Sequence, residues 1–255
     1  MAPLQTRDVA VGERPPTRRQ FLLASSAAAL ASMVGACHRT QPAPAPAAPT
    51  EPGLTRARRD AMTPDSIIED VEAGNARFRS GRMRSRDYRA EQRATAGGQY
   101  PEVVILSCID SRGPAETILD LGIGDVFNSR VAGPVVSDDV LGSLEFACRI
   151  AGAKVVVVMG HTDCGAVKGA IDGGELGNLT GLLAKIRPAV QATATRGPRT
   201  SKNADFVDAV ARTHVGLTIA SIRQQSSVLA ELESHGALRM IGSLYDVRTG
   251  AVHVL

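Results

Sequence analysis

Two cysteines and a histidine, Cys108, His161 and Cys164, are of the types and spacing that could hold a metal. Two sulfurs and one imidazole suit Zn²⁺, and three protein ligands leave a fourth position open to solvent. Structural zinc sites usually close with four ligands, so this set predicts an open, reactive centre. The run Cys108-Ile109-Asp110-Ser111-Arg112 adds a carboxylate and a guanidinium just after the first ligand. Two plainer readings compete: an Asp110–Arg112 salt bridge at a strand end, and a Cys108–Cys164 disulfide with His161 incidental. Neither accounts for all five residues together.

These residues need elements to position them. Val103-Val104-Ile105-Leu106 ends at Ser107-Cys108, Val126 to Val131 ends at Ala132-Gly133-Pro134, and Val155-Val156-Val157-Val158-Met159 ends at Gly160-His161. Continuous β-branched runs predict strands covered on both faces, the mark of a parallel sheet. Leu141 to Ala151 has a helical pattern and supplies a crossover. Ligand sites of open parallel sheets form beyond the carboxyl ends of the strands, so Cys108, His161 and Cys164 are predicted on one rim. Helices are predicted over Ser66–Arg79, with Thr63 as cap and Pro64 in the first turn, over Leu179–Val190 and over Phe206–Ala230. Thr193 to Asn203 reads as a loop, and Arg239–Val247, Arg248-Thr249-Gly250 and Ala251–Leu255 as strand, turn and strand. The expected fold is a single α/β domain over 63–255, with a central, mostly parallel β-sheet flanked by helices and an N-terminal helical arm.

Cys108-x-Asp110-x-Arg112 with His161-x-x-Cys164 resembles the paired signature of beta-class carbonic anhydrases. Further segments are similar to that family: Ala73-Gly74-Asn75-Ala76-Arg77-Phe78, Gly122 to Gly133, Ser143-Leu144-Glu145-Phe146-Ala147, Cys164-Gly165-Ala166-Val167 and Gly242 to Val247. The resemblance implies Zn²⁺ on Cys108, His161 and Cys164 and reversible hydration of carbon dioxide to bicarbonate by water activated on the metal. It implies that Asp110 orients that water and that Arg112 fixes Asp110; in some members the matching aspartate instead becomes a fourth zinc ligand, and both roles stay open for Asp110. It implies a homodimer or tetramer in which a neighbouring subunit helps wall the site, with residues 74–78 as an interface arm. A carbonyl sulfide or carbon disulfide hydrolase of the same fold and a non-catalytic exported zinc-binding domain are the alternatives. Pro134 departs from the family, which commonly places an asparagine there.

Residues outside the site have plainer readings. Cys148 is expected as a buried small hydrophobe, Asp163 as an exposed loop acid or a partner of the site, and His214, His235 and His253 as ordinary surface or core histidines. Gly165 opens a helix or makes a simple turn.

The first 37 residues read as an address. Thr17-Arg18-Arg19-Gln20-Phe21-Leu22-Leu23 resembles a twin-arginine export signal, and the uncharged run from Phe21 to Ala36, about 15 residues, suits a signal core and is short for a membrane span. Val34-Gly35-Ala36-Cys37 fits either a lipoprotein cleavage box, with a lipid anchor at Cys37, or ordinary cleavage; His38 falls beside it. Residues 38–62, rich in Pro and Ala, read as an extended linker, with Arg56-Ala57-Arg58-Arg59 a solvated run. The expected location is outside the cytoplasmic membrane, in a periplasm. A net charge of +3 over 255 residues with 3% aromatics and no Trp excludes a stacking platform or basic stripe for nucleic acid.

Overall fold

The computed structural model describes residues 53–255. The export signal, Cys37, His38 and most of the linker lie outside the described residues. At the start of the described part, α1 (Arg56–Ala61) forms where a solvated run was expected. Its Arg59 is buried and donates to the Ala151 carbonyl over Gly152. Isolated basic residues carry no signal of such a docking point.

The elements that follow are α2 (Pro64–Arg79), α3 (Tyr88–Thr95), β1 (Val103–Ser107), α4 (Ala115–Ile118), β2 (Val126–Arg130) and α5 (Asp138–Glu145). Then come β3 (Val155–His161), α6 (Gly165–Ile171), α7 (Gly177–Ala184), α8 (Arg187–Ala192), α9 (Ala204–Gln225), α10 (Ser227–Ser234), β4 (Arg239–Tyr245) and β5 (Val252–Val254). Strand order is β2-β1-β3-β4-β5; the first four are parallel and β5 runs antiparallel at one edge. Every residue of β1 and β3 is buried, as continuous apolar runs require. Val104, Leu106, Val156 and Val158 face a core with Leu144, Ile219 and Leu229. Val103, Ile105, Val155 and Val157 face the opposite core, with Ile67, Val71 and Ile118.

α2 starts as its sequence implies, with Thr63 and Ser66 forming a reciprocal capping box and Pro64 in the first turn. Three helix expectations needed adjustment. α5 starts at Asp138, capped by Ser137, and widens over Phe146–Ile150 into a π-helical turn closed by Ala151 N–H donating to Phe146 O at 2.9 Å. The expected 179–190 helix is two helices, with Pro188 in the first turn of α8. The expected 206–230 helix breaks at Ser226, whose hydroxyl accepts from Leu229 N–H and donates to Glu145 Oε1 at 2.6 Å. A buried hydroxyl that caps one helix and ties it to another outweighs the local propensity to continue.

α2 packs inward through Gly74 and Asn75. Asn75 Nδ2 donates to the Ile118 and Gly250 carbonyls at 3.2 and 2.9 Å, and its Oδ1 accepts from Val252 N–H at 2.9 Å. A Cβ on Gly74 would lie 1.9 Å from Leu119 O, and backbone cannot yield as a flexible side chain does. Gly74→Ala is expected to lower unfolding free energy by about 3 kcal/mol, read as a lower urea midpoint at unchanged slope.

Candidate metal centre

β1 and β3 are parallel neighbours with Ser107 opposite Met159, so the chain leaves both strands on the same rim. Cys108 follows β1, His161 is the last residue of β3, and Cys164 caps the start of α6. Sγ of Cys108, Sγ of Cys164 and a ring nitrogen of His161 lie within 4.8 Å of one another, all three residues buried. Donor atoms sharing a tetrahedral dication through bonds of about 2.0–2.3 Å sit at comparable separations. Among the described residues Cys108, Cys148 and Cys164 are free thiols, so the expectation of convergence holds and the disulfide reading does not.

The imidazole is oriented for the role. His161 Nδ1 meets the Thr162 carbonyl at 2.9 Å, which makes Nδ1 the protonated nitrogen and leaves Nε2 as a lone-pair donor. Nε2 is buried and has no hydrogen-bond partner among the described residues. An orphaned buried acceptor is costly, and a cation between the two sulfurs would satisfy it. The residues present fit a zinc ion.

The two sulfurs share a proton. Hydrogen bonding from the Cys164 thiol pulls Cys108 down to about 4, against burial, with His161 and the Gly133 amide adding to the effect. Cys164, as the proton holder, is pushed up by the Cys108 sulfur and by burial. Burial is the largest single influence on His161 and lowers its pKa, but the nearby Cys108 sulfur, the Thr162 carbonyl and the Asp110 charge together leave it raised. A thiolate beside an imidazole is a preformed cation seat.

Asp110 and Arg112 stand at the mouth. Arg112 Nε and Nη2 donate to Asp110 Oδ1 and Oδ2 at 2.9 and 2.8 Å, and Arg112 N–H donates to Oδ1 at 2.9 Å. This grip holds the Asp110 carboxyl well below the usual carboxylate range. Asp110 Oδ2 lies 3.8 Å from His161 Nε2, beside the three-donor cluster.

Two further residues complete the frame, one of which, Arg130, had no role assigned from the sequence. Arg130, the last residue of β2, donates from Nε to Cys108 O at 2.9 Å and from Nη2 to Asp110 O at 2.6 Å. Its only signal was its place at a strand's carboxyl end. Asp163, left open as a loop acid or a partner, accepts from Arg112 Nη1 at 3.1 Å and also from Lys168. It takes the left-handed backbone conformation, φ 58°, which aspartate tolerates better than most residues. Gly165 does open α6, and the Ala166 and Val167 amides work to lower Cys164. Cys148 is buried in apolar surroundings that push its thiol up to about 12, and His235 and His253 are exposed.

A family model described as carbonic anhydrase matches residues 103–252. Carbonic anhydrase 2 of Mycobacterium tuberculosis is 36% identical over 193 residues, covering 73% of this chain and 90% of that protein. A carbonic anhydrase of Mycolicibacterium smegmatis is 33% identical over 197 residues, covering 75% and 93%. Among solved structures, a β-carbonic anhydrase of the fungal pathogen Aspergillus fumigatus aligns with a TM-score of 0.58 at 29% identity, over 75% of this chain and 89% of that one. One of two tetrameric β-carbonic anhydrases from Sordaria macrospora aligns at 0.57 and 25% identity, covering 75% and 97%. The matched stretch begins at the first residue of β1 and contains all three donors of the buried cluster, and on that footing the chain belongs to the beta-carbonic anhydrase family of zinc-dependent lyases.

Proposed function

We propose that this enzyme hydrates carbon dioxide reversibly to bicarbonate and a proton, with Zn²⁺ held by Cys108, His161 and Cys164. The observation carrying this reading is the buried, mutually close donor set with His161 Nε2 left unpartnered. A zinc ion seated there supplies Lewis-acid activation, lowering the pKa of a water from about 15.7 toward neutrality. Everything else is the work of this chain's residues. Cys108 and Cys164 balance the ion's charge as thiolates, and the Thr162 carbonyl fixes the His161 tautomer. Asp110 accepts a hydrogen bond from the attacking water and turns its lone pair toward the substrate carbon. Its two oxygens are already engaged by Arg112, so its role in this conformation is orientation rather than ligation. Arg112 is fixed in turn by Asp163.

The localisation and assembly follow the same reading. Arg18-Arg19 and the apolar run after them direct the folded, metal-loaded enzyme to the periplasm, with a lipid at Cys37 as the anchor or plain cleavage before it. The tetrameric relative from Sordaria macrospora supports a homodimer or tetramer here.

Stopped-flow carbon dioxide hydration on purified mature protein tests the activity, with zinc measured per chain. About one zinc per chain and hydration from neutral pH upward is the expected result; turnover of carbonyl sulfide without hydration of carbon dioxide would sink the assignment. Asp110→Asn should keep its zinc yet lose about a hundredfold in kcat/KM, the scale of a lost positioning or proton-accepting group. An unchanged rate would remove Asp110 from the mechanism.

A further inference from the structure

Gly133 lies between the cluster and α9. On one side its N–H donates to Cys108 Sγ at 3.4 Å. On the other, its carbonyl meets Nε2 of His214 at 2.6 Å. His214 sits in α9 and is 5% exposed. One helical turn further, Thr218 donates to the Pro134 carbonyl at 3.4 Å, so α9 grips two successive carbonyls of this turn. Gly133 has φ 65°, and a Cβ there would meet Ile186 Cδ1 at 2.5 Å and Ala166 Cβ at 3.1 Å. The residue is therefore confined sterically as well as by hydrogen bonds. The carbonyl and the N–H belong to the two peptide planes joined at the Gly133 Cα, so holding one in place limits the rotation that would turn the other away from Cys108. Burial lowers the His214 pKa, so the imidazole is neutral at physiological pH and serves as a single N–H donor.

We propose that His214 is a positioning residue for the metal centre: by holding the Gly133 carbonyl it aims the Gly133 amide at Cys108 and sets that sulfur's strength as a ligand. The inference rests on Cys108 being a zinc ligand. Aiming an N–H at a thiolate disperses its charge and also orients its remaining lone pairs. Outer contacts of this kind commonly change metal affinity ten- to a hundredfold when removed. The alternative is that His214 merely fills space between α9 and the turn.

His214→Leu keeps bulk and removes the donor; His214→Gln restores an N–H at a similar reach. Three readouts on the full chain separate positioning from filling: zinc affinity by chelator competition, the thiolate-to-metal charge-transfer band of the cobalt-substituted protein, and hydrogen exchange of the Gly133 amide without metal. The expected result for His214→Leu is zinc affinity weakened at least about tenfold, a shifted cobalt band and faster Gly133 exchange, with His214→Gln recovering most of each. Thr218→Val, which loosens the same turn without touching Gly133, should leave zinc affinity within about twofold, the scale of ordinary mutational scatter. A folded His214→Leu protein with wild-type zinc affinity and cobalt band overturns the proposal, as does equal weakening in Thr218→Val. Wild-type protein that takes up no zinc overturns the zinc assignment itself, and the proposal with it.

Discussion

Cys108→Ser protein will purify with little or no zinc and will hydrate carbon dioxide at least about a thousandfold more slowly than wild type, because activation of water at neutral pH is the chemistry lost. A serine hydroxyl keeps its proton at neutral pH and is a hard oxygen donor, whereas zinc sites of this kind use a thiolate. Cys108 is the sulfur most ready to ionise, held down to about 4 chiefly by its hydrogen bond from Cys164. With it gone, Cys164 and His161 are two ligands, too few to hold the ion against solvent. The substitution removes little apolar surface, so the circular dichroism spectrum should survive and the loss will be chemical rather than structural. Zinc content by elemental analysis and stopped-flow hydration check both halves. Retention of about one zinc per chain in this variant would show that the ion sits elsewhere.

Glu102→Gln should become progressively more stable than the wild-type protein as pH rises from 5 to 8. Glu102 is 4% exposed at the foot of the sheet, where its backbone accepts from Lys154 N–H at 2.9 Å and donates to Asp125 O at 3.1 Å. Burial, followed by the charges of Asp125 and Asp70, pushes its carboxyl up to about 8, while Arg84 and Arg58 oppose the shift. The sign follows from proton counting. Between the unfolded value near 4.5 and the folded value near 8, the folded chain holds a proton that the unfolded chain has released. The contribution of Glu102 to stability is therefore greatest at the acid end of that window and declines by up to about 1.4 kcal/mol per pH unit. Glutamine mimics the protonated acid and has no proton to lose. Urea melts at pH 5, 6.5 and 8 should show the two proteins alike at pH 5 and the variant more stable at pH 8. Parallel pH dependences would mean that Glu102 reaches water and titrates normally.

The donor set was readable before any coordinates because its signals are local. Cys108 and His161 each end a run of β-branched residues, and such runs form parallel strands whose carboxyl ends share a rim. The Asp110–Arg112 pair was equally local, since a two-residue separation lets the guanidinium close on the carboxylate within one turn. The helix boundaries were less legible. Nothing around Ser226 marks a break except that its hydroxyl finds Glu145, which lies 81 positions away in the chain.

Composition and order thus determined the chemistry on their own: a soft three-donor set, an acid–cation pair beside it, and the sheet that presents them. The tertiary structure alone decided which distant groups hold that chemistry in place. Arg130 reaches across from the neighbouring strand to the Cys108 and Asp110 carbonyls, Asp163 takes the outer side of Arg112, and His214 holds the Gly133 carbonyl. The physical reason is one of range. Periodicity and motif spacing report contacts within a turn or along a strand, whereas these partners are joined only by packing between elements, which leaves no repeating trace in the sequence.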